Sequence, residues 1–257
     1  MSGDIRELLE RLYARYNRRE FVHPDPLEFL YRYDSPGDRE IAGLVAALLA
    51  YGNVRQILRS VEAALDRMGA SPRSFVLGAS DRRMRDAFYG FRHRFTSGRD
   101  VARLLLGAGR VIGRYGSLRE CFRSHMRASD GTVLPALTRF VKELAFGFRF
   151  DHAGFLPSPD GGSACKRLNL YLRWMVRTDE VDPGGWDGIP RSMLVVPLDV
   201  HMHRFALRLG LTGRRQADMK TALEITGAFR AIEPDDPVKY DFAITRFGIR
   251  GDTGDIC

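Results

Sequence analysis

The sequence predicts an all-α protein of roughly ten helices, and three observations carry that reading. Apolar residues recur at the i, i+3, i+4, i+7 spacing along almost the whole chain. No segment shows the apolar/polar alternation of a half-buried strand. With 44% hydrophobic residues in 257, the chain can also bury a full core.

The first stripe is Ile5, Leu8, Leu9, Leu12, Tyr13 and Tyr16, and a loop containing Pro24 and Pro26 follows it. Ile41, Leu44, Val45, Leu48 and Leu49 form the second. Ala42, Ala46, Ala47 and Ala50 lie between them, so this helix is apolar on most sides and is expected to be buried. Further stripes run through Ile57, Leu58, Val61 and Leu65, then Val101, Leu104, Leu105 and Ala108, then Leu118, Cys121, Phe122 and His125, then Leu134, Leu137, Val141 and Leu144. In the C-terminal half they continue at Leu168, Tyr171, Leu172 and Met175, at Met202, Phe205, Ala206 and Leu209, at Met219, Ala222, Leu223 and Thr226, and in a run from Val238 to Phe247. No internal repeat and no long linker divides the chain, so residues 1–257 read as one unit.

Composition narrows the function classes. A formal charge of +8 and a pI near 9.7 favour a polyanionic partner. The three cysteines, Cys121, Cys165 and Cys257, lie too far apart for a zinc ribbon or a disulfide framework and are too few for an iron–sulfur cluster, so a reducing compartment is the expected setting. The start, Met1-Ser2-Gly3-Asp4-Ile5-Arg6, lacks a signal-peptide core, and no apolar run is long enough to span a bilayer. A soluble, cytoplasmic monomer without a membrane partner is the expectation.

Two segments carry chemistry. Lys166 closes a glycine-containing loop, Ser158-Pro159-Asp160-Gly161-Gly162-Ser163-Ala164-Cys165, and opens an apolar helical run. A helix starting near Ser163 would put Lys166 in its first turn, where the helix dipole, the neighbouring Arg167 and the apolar Leu170 all disfavour the ammonium. A lysine attacks carbon only as the neutral amine. A surface lysine on an amphipathic helix would read the same way, but the chain has only four lysines among 40 basic residues, and this one stands directly after the loop. Asp199, 33 positions on, lies in Pro197-Leu198-Asp199-Val200-His201-Met202-His203. That position suits a helix N-cap, and a carboxylate so held can also stabilise an oxocarbenium-like sugar. Asp199, His201 and His203 also allow a metal-dependent hydrolase, yet residues two apart on a helix point roughly 200° apart, which disperses the imidazoles; no metal or other cofactor is expected. Tyr89-Gly90-Phe91-Arg92-His93-Arg94-Phe95 interleaves basic and aromatic residues, as a DNA-contacting segment or an exposed basic loop would.

The loop, the lysine and the Pro-x-Asp-x-His segment together resemble the helix-hairpin-helix DNA glycosylase superfamily, closest to the archaeal 8-oxoguanine glycosylase/lyases, as a bacterial relative. The match is specific over about residues 155–210, with anchors at Ala50–Gln56 and Tyr240–Gly248. It implies a helix-hairpin-helix bundle with a cleft between two helical subdomains, residues 155–210 forming the hairpin and the catalytic Asp segment. It implies Lys166 as the nucleophile and Asp199 as the assisting carboxylate. Gly161, Gly162, Ser163, His201, Arg92 and Arg94 would contact DNA, and Tyr51, Asn53, Leu170, Asp236, Tyr240 and Asp241 would form the base pocket. The implied partner is double-stranded DNA carrying a damaged base, which places the protein at the nucleoid. The chain departs from the family in lacking the Leu-Pro-Gly-Val-Gly hairpin and in its long Lys–Asp gap, and the archaeal subgroup shares the long gap. A helical DNA-binding protein without enzymatic activity would account for the charge but not for a lysine followed by this aspartate.

Overall fold

In a computed structural model, which describes residues 2–250, α1 (Ser2–Tyr16) buries Leu9, Leu12 and Tyr16 and packs against α12 (Asp241–Arg250) at the other end of the chain. Cys257 lies outside the described residues; Cys121 and Cys165 are free and buried. The described residues form an all-helical fold of twelve α-helices, short 3₁₀ turns and one two-stranded hairpin.

α2 (Pro36–Leu49) is buried continuously from Glu40 to Leu49, as its alanine-rich stripe predicts. It packs against α9 (Lys166–Val176), and Gly43 lets the two come close: a Cβ there would stand 3.3 Å from the Tyr171 ring. α3 (Val54–Asp66) follows α2 and is capped by Asn53, whose side chain accepts from Arg55 N. α4 (Pro72–Gly78) and α5 (Asp81–Ala87) are two-turn helices capped by Ser71 and Ser80. α6 (Gly98–Tyr115) starts in a capping box, with Ser97 and Asp100 satisfying each other's backbone N–H groups. α7 (Leu118–Ser124) directs its first amides, Leu118 N and Arg119 N, at the Glu40 carboxylate of α2, whose pKa burial pushes up. α8 (Leu134–Ala145) lies across α6 and α7. After α9 come α10 (Val200–Arg208) and α11 (Met219–Ile232), and α10 packs on α12.

The contacts sort the helices into two packing groups: α2 to α8 in one, and α1 with α10 and α12 in the other, with α9 joining them through α2 and α12. One contiguous apolar core runs through both. Arg92–His93 and Thr96–Ser97 correct the expectation of no strands, since they pair antiparallel as β1 and β2. Two residues per strand are too few to leave a readable alternation in the sequence. The final helical run begins at Asp241 rather than Val238.

The α6–α8 contact closes at Gly107, where a Cβ would sit 2.1 Å from the Leu144 carbonyl oxygen. Backbone cannot yield as a flexible side chain does, so Gly107→Ala should cost about 3 kcal/mol, lowering Tm by roughly 6–12 °C. A thermal melt with an unchanged midpoint would show that α6 and α8 separate at no cost.

Candidate functional site

α9 begins at Lys166 itself, which places the lysine in the first turn as the sequence predicts. The residue before it, Cys165, has left-handed backbone (φ 47°), a sharp reversal that aims the chain from the glycine loop into the helix. Burial pushes the Cys165 thiol up to about 11, so it stays protonated beside the lysine. In the loop, Gly162 takes a positive φ, and the N–H groups of Gly161 and Gly162 donate to the Ser158 and Pro159 carbonyls. Ser163 accepts from Cys165 N and pairs with Asp218 at the start of α11, which fastens the loop to the C-terminal helices. The loop's two glycine amides are therefore committed within the loop, while Gly161, Gly162 and Ser163 are all exposed.

Asp199 caps α10, its Oδ1 accepting from Met202 N at 2.8 Å. Its Oδ2 stands 3.8 Å from Lys166 Nζ, so two groups 33 residues apart in sequence form an ion pair with 39% of the lysine and 14% of the aspartate side chain exposed. Lys166 also lines a cleft of about 680 Å³ whose walls include Tyr51, Gly52, Gly154, Leu156 and Arg167. Arg167 spans two walls of this cleft: its guanidinium donates to the Leu48 carbonyl at the end of α2 and to the Gly154 carbonyl, and lies 5.0 Å from the Tyr51 ring centre. Tyr51 donates to the His93 carbonyl and packs edge-on against the His93 ring, which ties the cleft wall to the β-hairpin.

The hairpin presents the basic and aromatic side chains outward. Arg92, Arg94 and Phe95 are exposed, Phe95 at 67%, and nearby Tyr89 at 88%. Arg94 lies 5.9 Å from the Tyr51 ring centre, at the edge of the cleft. His152, which sequence reasoning passed over, stands 6.4 Å from Tyr51 and 5.8 Å from Phe95 between ring centres. Its only sequence signal is a lone histidine in a loop.

Three of the six residues assigned to the base pocket belong instead to the buried framework. Asp236 accepts both oxygens' worth of contact from Arg177 Nε, at 2.9 and 3.2 Å. Tyr240 is fully buried and donates to Glu10 of α1 at 2.6 Å. Asp241 is 3% exposed and pairs through Oδ2 with Arg173. A carboxylate that deep must find a guanidinium, and these did so away from the cleft. Leu170 is half-buried against the core, and Asn53 is the exposed cap of α3; only Tyr51 of the six lines the cleft. The imidazoles of the Asp-x-His-x-His segment diverge: His203 bonds the Arg214 carbonyl at 2.8 Å, while His201 lies against Gly248 of α12. Among the described residues no three His, Cys, Asp or Glu side chains gather as a metal site.

Fold and site thus define an all-helical protein with a lysine–aspartate pair beside a cleft edged by an arginine- and aromatic-bearing hairpin. The chain belongs to the family described as "Protein of unknown function (DUF2400)", whose model matches residues 25–250. No match to it was found among curated proteins or among solved structures. No described helix is long and apolar enough to cross a membrane.

Asp241 gives the site region a measurable pH signature. Burial raises its pKa, the Arg173 guanidinium opposes, and the Asp199 carboxylate raises it again, leaving it at about 6 against an ordinary 3.8. Between those values the native state holds a proton that the unfolded chain does not, so this residue's contribution to stability is present below 3.8 and is lost as pH rises through about 6. The difference corresponds to ~3 kcal/mol. Asp241→Asn should remove that component, and denaturant titrations from pH 4 to 7 should show the variant losing less stability with rising pH than wild type. Parallel curves would mean that Asp241 titrates normally.

Proposed function

We propose that the chain is a bifunctional DNA glycosylase/lyase that excises an oxidised purine, with 8-oxoguanine as the leading substrate. The observation that carries this reading is the 3.8 Å approach of Lys166 Nζ to Asp199 Oδ2 at the start of two helices, one of them lining a cleft of small-ligand size. Such a pair suits displacement at an anomeric carbon. Support also comes from the resemblance over residues 155–210 and from the net charge of +8.

On this reading the target nucleotide leaves the base stack at a cost of a few kcal/mol, smaller for a damaged base, and its base enters the cleft beside Tyr51. As the glycosidic bond breaks, positive charge develops on the sugar, and Asp199 stabilises it. Asp199 is suited to this because its position is fixed by the bond from Met202 N and does not depend on substrate. Lys166, 39% exposed, gives its ammonium proton to solvent; the neutral amine then forms the new bond to the anomeric carbon, the base departs with the electrons of the old one, and the proton left on the nitrogen passes to the departing base. Ring opening gives a Schiff base, from which loss of the neighbouring proton expels the 3′ phosphate by β-elimination. Arg92 and Arg94 would meet backbone phosphates, and Phe95 would occupy the space left by the flipped base.

A Schiff base is trapped by borohydride, which gives a direct test. Wild-type protein, an 8-oxoguanine duplex and borohydride should yield a covalent protein–DNA adduct, and Lys166→Ala should reduce it below detection while retaining the wild-type melt. Adduct formation by the alanine variant would remove Lys166 as the nucleophile, and absence of any adduct with wild type across a panel of oxidised purines would remove the activity.

A further inference from the structure

Asp199 caps α10, whose exposed side carries Arg204 and Arg208 one turn apart. Both are exposed, and among the described residues neither is engaged by a carboxylate. Four other arginines of the C-terminal half are held by carboxylates: Arg173 and Arg177 by buried aspartates, Arg214 by Asp218, Arg246 by Asp25. Arg204 and Arg208 instead edge a niche of about 110 Å³ between α10 and α12 that has His201 on its wall and Phe205 and Phe247 in its floor. Gly248 allows the third polar group into place, because a Cβ there would lie 2.9 Å from His201 Nδ1. Two guanidinium forks and an imidazole around a shallow apolar floor match a phosphate oxygen pair flanked by a sugar.

We propose that this niche grips the sugar–phosphate backbone of duplex DNA beside the target nucleotide, with Arg204 and Arg208 as its phosphate ligands. Along the axis Arg204 lies about 7.5 Å and Arg208 about 13.5 Å from Asp199. At 3.4 Å of strand rise per nucleotide, that reaches phosphates about two to four nucleotides from the reacting sugar. Arg92 and Arg94 belong to the hairpin beside Tyr51 and not to α10, so the niche supplies a second hold on the duplex. This inference rests on the DNA reading above.

The test is fluorescence anisotropy with an undamaged labelled duplex at several salt concentrations, since phosphate contacts carry no direct base information. Replacing Arg204 and Arg208 together by Gln should flatten the slope of log affinity against log salt by roughly 2, with affinity near 0.15 M salt falling about tenfold. The corresponding double Lys variant, which keeps the charges, should hold a slope close to wild type. A Gln variant with the wild-type slope, or Gln and Lys variants weakened alike, would overturn the niche. Wild type that binds duplex steeply but releases no damaged base would overturn the glycosylase reading and leave the niche standing.

Discussion

Two buried arginines, Arg173 in α9 and Arg177 at its C-cap, set the orientation on which the candidate site depends. Arg173 and Arg177 share Asp182, which is fully buried; Arg173 also reaches Asp241 at the start of α12, and Arg177 reaches Asp179 and Asp236. Desolvation opposes both guanidinium charges, and the surrounding carboxylates nonetheless hold both above their ordinary pKa. Such a network adds little net stability over an apolar core, but removing one member strands its partners at about 3–5 kcal/mol. Its consequence is directional: α9 cannot rotate or slide against α12 without separating buried ions. Lys166 sits two turns before Arg173 on this helix, and Asp199 caps α10, which packs on α12. The 3.8 Å lysine–aspartate distance is thus fixed from behind by groups that never face the cleft.

The cleft side is held by a different set of contacts. Arg167, next to Lys166, joins the last turn of α2 to the Gly154 loop and covers one face of Tyr51. The capping box of α6 extends to the same loop, as the second Asp100 oxygen accepts from Asp151 N at 2.6 Å. Lysine, loop and hairpin are therefore cross-linked by polar contacts to helices that are themselves rigidly packed, and this preorganises the groups that would meet a substrate.

The helical architecture was legible because periodicity is a local signal, and α1, α2, α3, α6, α8 and α11 all coincide with stripes read from it. Short elements were not: α4 and α5 span two turns each, too few for a stripe, and are marked only at their starts, by Ser71-Pro72 and Ser80-Asp81, and the β-hairpin is defined by pairing across a two-residue turn. The lysine and the aspartate could be singled out through their loop and capping contexts, but spacing alone carries no distance between them. Asp236, Tyr240 and Asp241 illustrate the limit most clearly. Polar residues at a helix start resemble ligand-reading groups, whereas their partners here, Arg177, Glu10 and Arg173, lie 59, 230 and 68 positions away. Only the folded chain reveals that each of these side chains is already paired with a distant residue.

We propose that Lys166 and Asp199 form one catalytic pair with separable duties, the carboxylate serving base loss and the amine serving both base loss and strand scission. Asp199→Asn preserves the cap on Met202 N but not the charge, so it isolates the carboxylate's part. The most direct measurement compares this variant on two duplexes, one with an intact 8-oxoguanine and one with a preformed abasic site. Base release should slow at least ~100-fold, equivalent to about 2.7 kcal/mol of transition-state stabilisation, while borohydride trapping on the abasic duplex persists. Base release at the wild-type rate by Asp199→Asn, with the protein folded, would contradict it.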